Sequence, residues 1–383
     1  MANVLAELFQ NTANAIREKT GDTGTMKPAE FPEKIRKITA DSTSEETPAP
    51  YTLLENPTGL PEGCMLNNFT WHPNGQHMIF ITTKGAVLYD ITTEPYTYIG
   101  LIENSNLSVP WSAVYSSDGT KLILVCGGLD TTEITIRTYD TTVIPYVPIE
   151  GVIPSAYTKS SYFGQGRWSA LHPNGEILCI TGESGYVVFD TTTMPYTVLY
   201  EQTGVGQASN AIFHPDGTKL YVVGTSSLYT NPYSVKYYVV LLKIAEDKTI
   251  TFTIDTTETG LPTREETNYI MFSGDKILTT GMIGGKISMY AAGSTTAVLS
   301  VNLPARSGEY CCPHPNGKYL ISVGPSYKGC RVSELSEHYY RNHQLTPEYA
   351  LSSRCIGCSP DRKRLFIGSS DSTQPLFIYH LPE

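Results

Sequence analysis

Histidine is the residue type whose recurrence in this chain first suggests chemistry. Four copies head one short phrase: His72-Pro73-Asn74-Gly75, His172-Pro173-Asn174-Gly175, His214-Pro215-Asp216-Gly217 and His314-Pro315-Asn316-Gly317. Imidazole is a ready zinc ligand, but a zinc site gathers its ligands within about 2.0–2.3 Å of one point. Copies of a phrase in a repeat occupy equivalent places in successive units and do not converge on one centre. These histidines are therefore expected to be structural turn residues. A repeated carboxylate forms the second series. It stands in Asp90-Ile91-Thr92-Thr93-Glu94-Pro95-Tyr96, Asp140-Thr141-Thr142-Val143-Ile144-Pro145-Tyr146 and Asp190-Thr191-Thr192-Thr193-Met194-Pro195-Tyr196. Read as chemistry, these aspartates would be catalytic; read as structure, Asp followed by threonines and a proline folds back on its own backbone, and the turn is the expected role.

Cysteine supplies the third series. Cys355-Ile356-Gly357-Cys358 has the spacing of a redox or zinc motif. It runs straight into a degenerate copy of the turn phrase, so it should be extended, and residues three apart in a strand face opposite sides. Eight cysteines in 383 residues are too few for a disulfide-built scaffold. Buried free thiols assembled in a reducing cytoplasm are expected, although an even number also permits disulfides. The chain contains no Walker A loop, His-Glu-x-x-His, Gly-x-Ser-x-Gly or EF-hand loop. No catalytic, cofactor-binding or metal-binding residue is assigned on these grounds, and no cofactor is expected. An enzyme site that gathers single residues from several units stays open.

The elements that position these residues follow from the repeat. Besides the four histidine phrases there are worn copies at Ser116-Ser117-Asp118-Gly119, Phe272-Ser273-Gly274-Asp275 and Ser359-Pro360-Asp361-Arg362, which makes seven. The turn glycines or their equivalents fall at 75, 119, 175, 217, 274, 317 and 362, spaced by 44, 56, 42, 57, 43 and 45 residues. A period of 42–45 residues is that of a four-stranded propeller blade. In the third unit the expected strands are Trp168–Leu171, Ile177–Thr181 and Tyr186–Asp190, with the Asp-Thr-Thr turn leading to an outer strand that Pro195 opens, as an edge strand tolerates. The seventh unit ends one strand short, and Pro50-Tyr51-Thr52-Leu53-Leu54 repeats the outer-strand phrase of Pro95-Tyr96-Thr97 and Pro195-Tyr196-Thr197-Val198. The expected fold is therefore all-β: a seven-bladed β-propeller over residues 50–383, closed by an N-terminal outer strand.

The phrase His/Ser-Pro-Asp/Asn-Gly-x-x-Leu/Ile resembles that of lactonase-like and YVTN-type propellers. It is less like WD40 repeats, whose paired Gly-His and Trp-Asp signatures are missing. The resemblance implies a fold that hydrolases, binders and scaffolds share, so it does not choose among them. The long connections Glu150–Arg167 and Gly224–Lys236 account for the two wide spacings, and both should open on the face opposite the short turns. Their aromatics Tyr157, Tyr162, Phe163, Tyr229 and Tyr233 are candidate binding-face residues, because insertions on one face of a repeat protein often mark its binding side. Packing of these loops on one another is the structural alternative.

Ahead of the repeat, residues 1–39 read as two helices. Leu5, Leu8, Phe9 and Ile16 recur at helical steps, and Phe31, Ile35 and Ile38 mark a second, shorter helix. Two such helices cannot stabilise each other alone and need a docking surface, either the rest of the chain or a partner. Residues 40–49 are polar, acidic and proline-bearing, the composition of a linker, which favours a partner. The segment Ala13-Asn14-Ala15-Ile16-Arg17-Glu18-Lys19-Thr20-Gly21 followed by Met26-Lys27-Pro28-Ala29-Glu30-Phe31-Pro32-Glu33-Lys34-Ile35 resembles a module heading tail, baseplate, fibre and other virion proteins of tailed phages. That likeness implies a virion structural protein, made in the host cytoplasm and docked on other virion proteins through these helices within a multimeric assembly. The propeller would then be displayed toward a neighbouring protein or a host-surface protein or glycan. The alternatives are a lactonase-like hydrolase and a cellular propeller scaffold. A net charge of -10 argues against nonspecific attraction to nucleic acid or anionic membrane. No apolar run reaches membrane-spanning length, and the N-terminus lacks the basic and apolar regions of a signal peptide.

Overall fold

The computed structural model describes residues 10, 13, 14, 27, 52–55, 57–104, 109–127, 134–150, 168–182, 185–203, 207–226, 236–253, 267–273, 276–281, 286–291, 297–302, 310–314, 319–323, 331–334, 342–344, 353–369 and 371–381. The chain divides into two units, Met1–Tyr51 with Pro382–Glu383, and Thr52–Leu381. In the first unit Gln10, Ala13 and Asn14 are helical, and Gln10 Nε2 donates to Asn14 Oδ1 at 3.1 Å, one turn along. The helix residues Leu5, Leu8, Phe9, Ile16, Phe31, Ile35 and Ile38 lie outside the described residues.

The second unit is all-β. Strand β1 is Thr52–Leu53. The first sheet follows as β2 (Leu66–Trp71), β3 (His77–Thr82), β4 (Gly85–Asp90) and β5 (Thr97–Asn104). The second holds β6 (Val109–Tyr115), β7 (Lys121–Gly127), β8 (Ile134–Asp140) and β9 (Val147–Ile149). The third holds β10 (Trp168–Leu171), β11 (Ile177–Gly182), β12 (Gly185–Asp190) and β13 (Thr197–Thr203). In the fourth are β14 (Gln207–Phe213), β15 (Lys219–Ser226), β16 (Lys236–Ile244) and β17 (Ile250–Thr253). The fifth contains β18 (Thr267–Ser273), β19 (Lys276–Gly281), β20 (Lys286–Ala291) and β21 (Ala297–Asn302). The sixth contains β22 (Tyr310–Pro313), β23 (Tyr319–Val323), β24 (Arg331–Glu334) and β25 (Asn342–Gln344). Last come β26 (Ser353–Cys358), β27 (Arg364–Ser369) and β28 (Leu376–His380). All pairings are antiparallel meanders, and the last sheet has the order β1-β28-β27-β26, with Thr52 opposite His380 and Leu53 opposite Tyr379.

Each inner hairpin forms where the repeat phrase supplies a tight turn. The Gly75 N–H donates to His72 O at 2.9 Å, and Gly175 N–H to His172 O at 2.7 Å. Gly75, Gly119, Gly175 and Gly217 then hold φ between 70° and 79°, the left-handed region that costs an L-residue about 1–2 kcal/mol. Arg362 takes the equivalent conformation at φ 61° with a side chain. The prolines of the Asp-Thr-Thr phrase do not open the outer strands. Pro95, Pro145 and Pro195 follow cis peptides inside the turn, and β5, β9 and β13 start two residues later.

The second strands carry continuous apolar runs because both faces of each sheet are covered. Alternation then sorts the side chains between two neighbours. From β3, Met78 and Phe80 pack with Phe366, Leu376 and Ile378 of the last sheet. Ile79 and Ile81 point the other way, to Leu122, Leu124 and Tyr139 of the second sheet. The pattern continues, with Ile123 and Val125 against Leu178 and Ile180 of the third sheet, and Ile177 and Cys179 against Leu220 and Val222 of the fourth. Each such side chain contributes about 1.5–3 kcal/mol by leaving water. First and last sheets thus share one core.

Candidate functional site

Two of the turn histidines, His72 and His172, reach across to the next sheet. His72 Nε2 lies 2.8 Å from Gly119 O, and His172 Nε2 lies 2.8 Å from Gly217 O. Their other ring nitrogen accepts from the backbone N–H two residues on, Asn74 at 3.1 Å and Asn174 at 3.2 Å. A carbonyl oxygen can only accept, so each Nε2 carries a proton and donates to the neighbouring glycine; His172 Nδ1 also lies 2.5 Å from Asn174 Oδ1. The rings also stand edge-on to an aromatic of the next sheet, Tyr115 at 4.9 Å and Phe213 at 5.3 Å. They are turn residues as expected, but their main partner lies in a different repeat. Their spacing gave no sign of that bond; the aromatic that ends the next inner strand was the available signal.

The aspartates of the second phrase close their own turns. Asp90 Oδ1 accepts from Thr92 N–H at 2.8 Å and from Thr92 Oγ1 at 2.6 Å, and Asp140 does the same with Thr142. These threonine bonds hold both carboxyls below their ordinary range. Asp190 repeats the turn with Thr192, and Lys248 of the fourth sheet adds contacts at 3.1 Å to Asp190 and 3.2 Å to Glu176. Partial burial pushes the Asp190 carboxyl up, but its threonine and lysine bonds outweigh that, leaving it low. Turns of both kinds therefore meet on one side of the sheets. The tyrosines that end the phrase are buried: Tyr96 stacks on Phe366 of the last sheet at 5.9 Å, and Tyr196 OH meets Thr138 Oγ1 of the second sheet at 3.1 Å.

At the junction of last and first sheets, Ser359 holds the histidine position, and Arg364 at the start of β27 reaches the Asp-Thr-Thr phrase of the first sheet. Arg364 Nε lies 2.5 Å from Glu94 Oε1, Arg364 Nη1 lies 3.3 Å from Asp361 Oδ2, and the guanidinium carbon sits 5.5 Å from the centre of the Tyr96 ring. His380 Nε2 is 3.5 Å from the other Glu94 oxygen. A pocket of about 240 Å³ opens beside them, lined by Leu54, Glu55, Glu94, Pro95, Tyr96 and Ile378.

Cys355 and Cys358 sit on extended β26 and do not pair with each other; Cys358 Sγ instead lies 3.3 Å from Cys312 Sγ of the sixth sheet. That contact holds the Cys312 thiol below its ordinary value, whereas burial pushes Cys179 and Cys311 up. Cys64, Cys126, Cys179, Cys311, Cys312, Cys355 and Cys358 are free thiols. Among the described residues no three His, Cys, Asp or Glu side chains are grouped to hold a metal ion. The first strand after each connection, β2, β6, β10, β14, β18, β22 or β26, carries no Asp, Glu or His in sequence. Tyr157, Tyr162, Phe163, Tyr229 and Tyr233 lie outside the described residues.

No protein-family model and no curated protein matches the sequence. Solved structures do match. A chain in a crystal structure titled as the mitotic checkpoint complex aligns over 94% of this chain and 97% of its own, with a TM-score of 0.61 at 14% identity. The Cps50 (Swd1) β-propeller domain of Myceliophteria thermophila aligns over 86% of this chain and 99% of its own, with a TM-score of 0.59 at 11% identity. These neighbours are WD40-like propellers, although the WD40 signatures are missing from this sequence; blade geometry is carried by turn and burial pattern rather than by those dipeptides. At such identities the likeness shows the fold alone, and the fold is a β-propeller.

Proposed function

We propose that the chain is a seven-bladed propeller that works as a protein-interaction scaffold. The observation that carries this reading is the shared core of first and last sheets, with β1 completing the last sheet, in a fold whose neighbours include a chain of a named protein complex. A ring closed in this way is a rigid platform that presents loops on both faces. The loops at 150–167 and 224–236, with Tyr157, Tyr162, Phe163, Tyr229 and Tyr233, form the binding face in this reading. The test is to purify the full chain from its native source and measure the mass of its complex by light scattering. A partner at fixed stoichiometry, lost when the five aromatics become alanine, is expected; a monomer that hydrolyses lactones would sink the reading.

A second reading rests on the N-terminal module and its resemblance to virion proteins of tailed phages. In that case the helices over 1–39 dock on the particle and the propeller is displayed. Deleting residues 1–40 should abolish incorporation while the propeller stays folded by circular dichroism. Normal incorporation of the truncated chain ends the anchoring idea.

A further inference from the structure

Two of the free thiols meet across a sheet boundary. Cys312 lies on β22 of the sixth sheet and Cys358 ends β26 of the last, and their sulfurs are 3.3 Å apart. A disulfide bond is about 2.05 Å long, so a small turn of the two side chains closes the gap. Both sulfurs also converge on one carbonyl, Pro313 O, at 3.6 Å from Cys312 Sγ and 3.9 Å from Cys358 Sγ. Cys358 directly precedes Ser359, the place that Tyr115 and Phe213 hold ahead of Ser116 and His214. Those aromatics pack against the His72 and His172 rings of the preceding sheet. At the sixth-to-last junction a thiol stands in their position. Its strand neighbours do not compete for it. Cys311 faces the other side of β22 from Cys312, and Cys355 the other side of β26 from Cys358, because side chains alternate along a strand. Exposure divides the labour within the pair: Cys312 is buried and Cys358 is half-buried, so a small reagent reaches Cys358 first.

We propose that Cys312 and Cys358 are an oxidation site, at which a peroxide converts the two thiols to a disulfide that ties the sixth sheet to the last. The Cys358 sulfur attacks one peroxide oxygen; the O–O bond breaks, and the thiol proton leaves with the other oxygen as water. Cys312 then attacks the resulting sulfenic sulfur, the S–S bond forms, and the hydroxyl departs with the second thiol proton as a second water. Two thiols lose two electrons and one peroxide gains them. The thiolate is the attacking form, and the contact between the sulfurs holds the Cys312 thiol below its ordinary value, which suits it to the second step. Cys179 and Cys311 are fully buried and pushed up, so they are poor competitors for the oxidant. The bond would close a loop between residues 46 apart. A cross-link of that kind restricts the unfolded chain and so favours the folded one. It also fixes the neighbour of the sheet that β1 completes.

The test uses the full chain, reduced, desalted and treated with hydrogen peroxide. Remaining thiols are alkylated, and the digested protein is mapped by mass spectrometry, a measurement that needs no variant. The peptide holding Cys312 should be found joined to the one holding Cys358, lighter by two hydrogens, before Cys179 or Cys311 changes. The urea midpoint of unfolding should rise on oxidation and return to its starting value with dithiothreitol. Cys312→Ser and Cys358→Ser should each abolish the link and the rise, whereas Cys355→Ala should keep both. Joining of Cys358 to any other cysteine overturns the site. So does oxidation of Cys358 to the sulfinic acid with Cys312 left reduced, or a full set of free thiols after peroxide. A link that forms and leaves the midpoint unmoved overturns its role in tying the two sheets.

Discussion

The first-to-second junction and the second-to-third junction have the same backbone and opposite interiors. Gly119 and Gly175 hold φ of 72° and 79°, and both turns close with the same bond. One junction is plugged by the His72 ring against Tyr115; the other has Ser116 and a cavity. The contrast teaches that the hairpin phrase does two separable jobs. Its glycine and Asn or Asp make the turn, and its first residue decides whether the gap to the next repeat is closed. A repeat can therefore lose the plug without losing the blade.

The sharpest way to break that comparison is to remove a plug. His72→Ala should destabilise the chain by about 2 kcal/mol, from a buried bond and a new cavity, measured by denaturant unfolding. A cost within about 0.5 kcal/mol, that of an ordinary surface substitution, would show that the ring contributes nothing. Next in size come the glycines. Gly217→Ala should cost about 2 kcal/mol, because left-handed strain adds to a clash with His172, while Gly175→Ala should cost about 1 from strain alone. Equal costs would mean that the two slots are equally tight. Ser116→His should raise stability by about 1 kcal/mol by restoring the cross-sheet bond, and a crystal structure should show its Nε2 on Gly175 O.

The smallest effect per site concerns acid. The Ser116 and Thr120 bonds hold the Asp118 carboxyl below its ordinary value of 3.8. The folded state then binds fewer protons than the unfolded one, so the stability this group adds above pH 3.8 is lost as pH falls through its folded pKa. Asn174 fills the same place in the third turn and has no such dependence. Asp118→Asn should flatten the fall of the unfolding midpoint below pH 3.8; an unchanged slope would place the acid sensitivity elsewhere.

The strands were legible because hairpins are local. Turn residues and apolar runs such as Leu178-Cys179-Ile180 report their own conformation, and the likeness of Pro50–Leu54 to Pro95–Thr97 pointed to where β1 pairs. What joins one repeat to the next was not legible. The His72 bond to Gly119, the approach of Cys358 to Cys312 and the Arg364 pair with Glu94 each span a sheet boundary, and each depends on side-chain reach rather than spacing. The Cys355–Cys358 spacing was read correctly as extended, yet the true neighbour of Cys358 lay 46 residues away. The cavity beside Ser116 was invisible for the same reason, since a worn turn phrase looks like decay until its neighbours are in view.

The core shared by first and last sheets has a consequence for synthesis. Met78 and Phe80 leave the ribosome well before their partner Phe366, which follows Phe80 by 366 − 80 = 286 residues. At about 5–20 residues per second, that face of the first sheet waits on the order of 15–60 s for its cover. The nascent chain thus carries an apolar surface until the last sheet is made, and a chaperone that shields one β-face is the kind of helper it would engage.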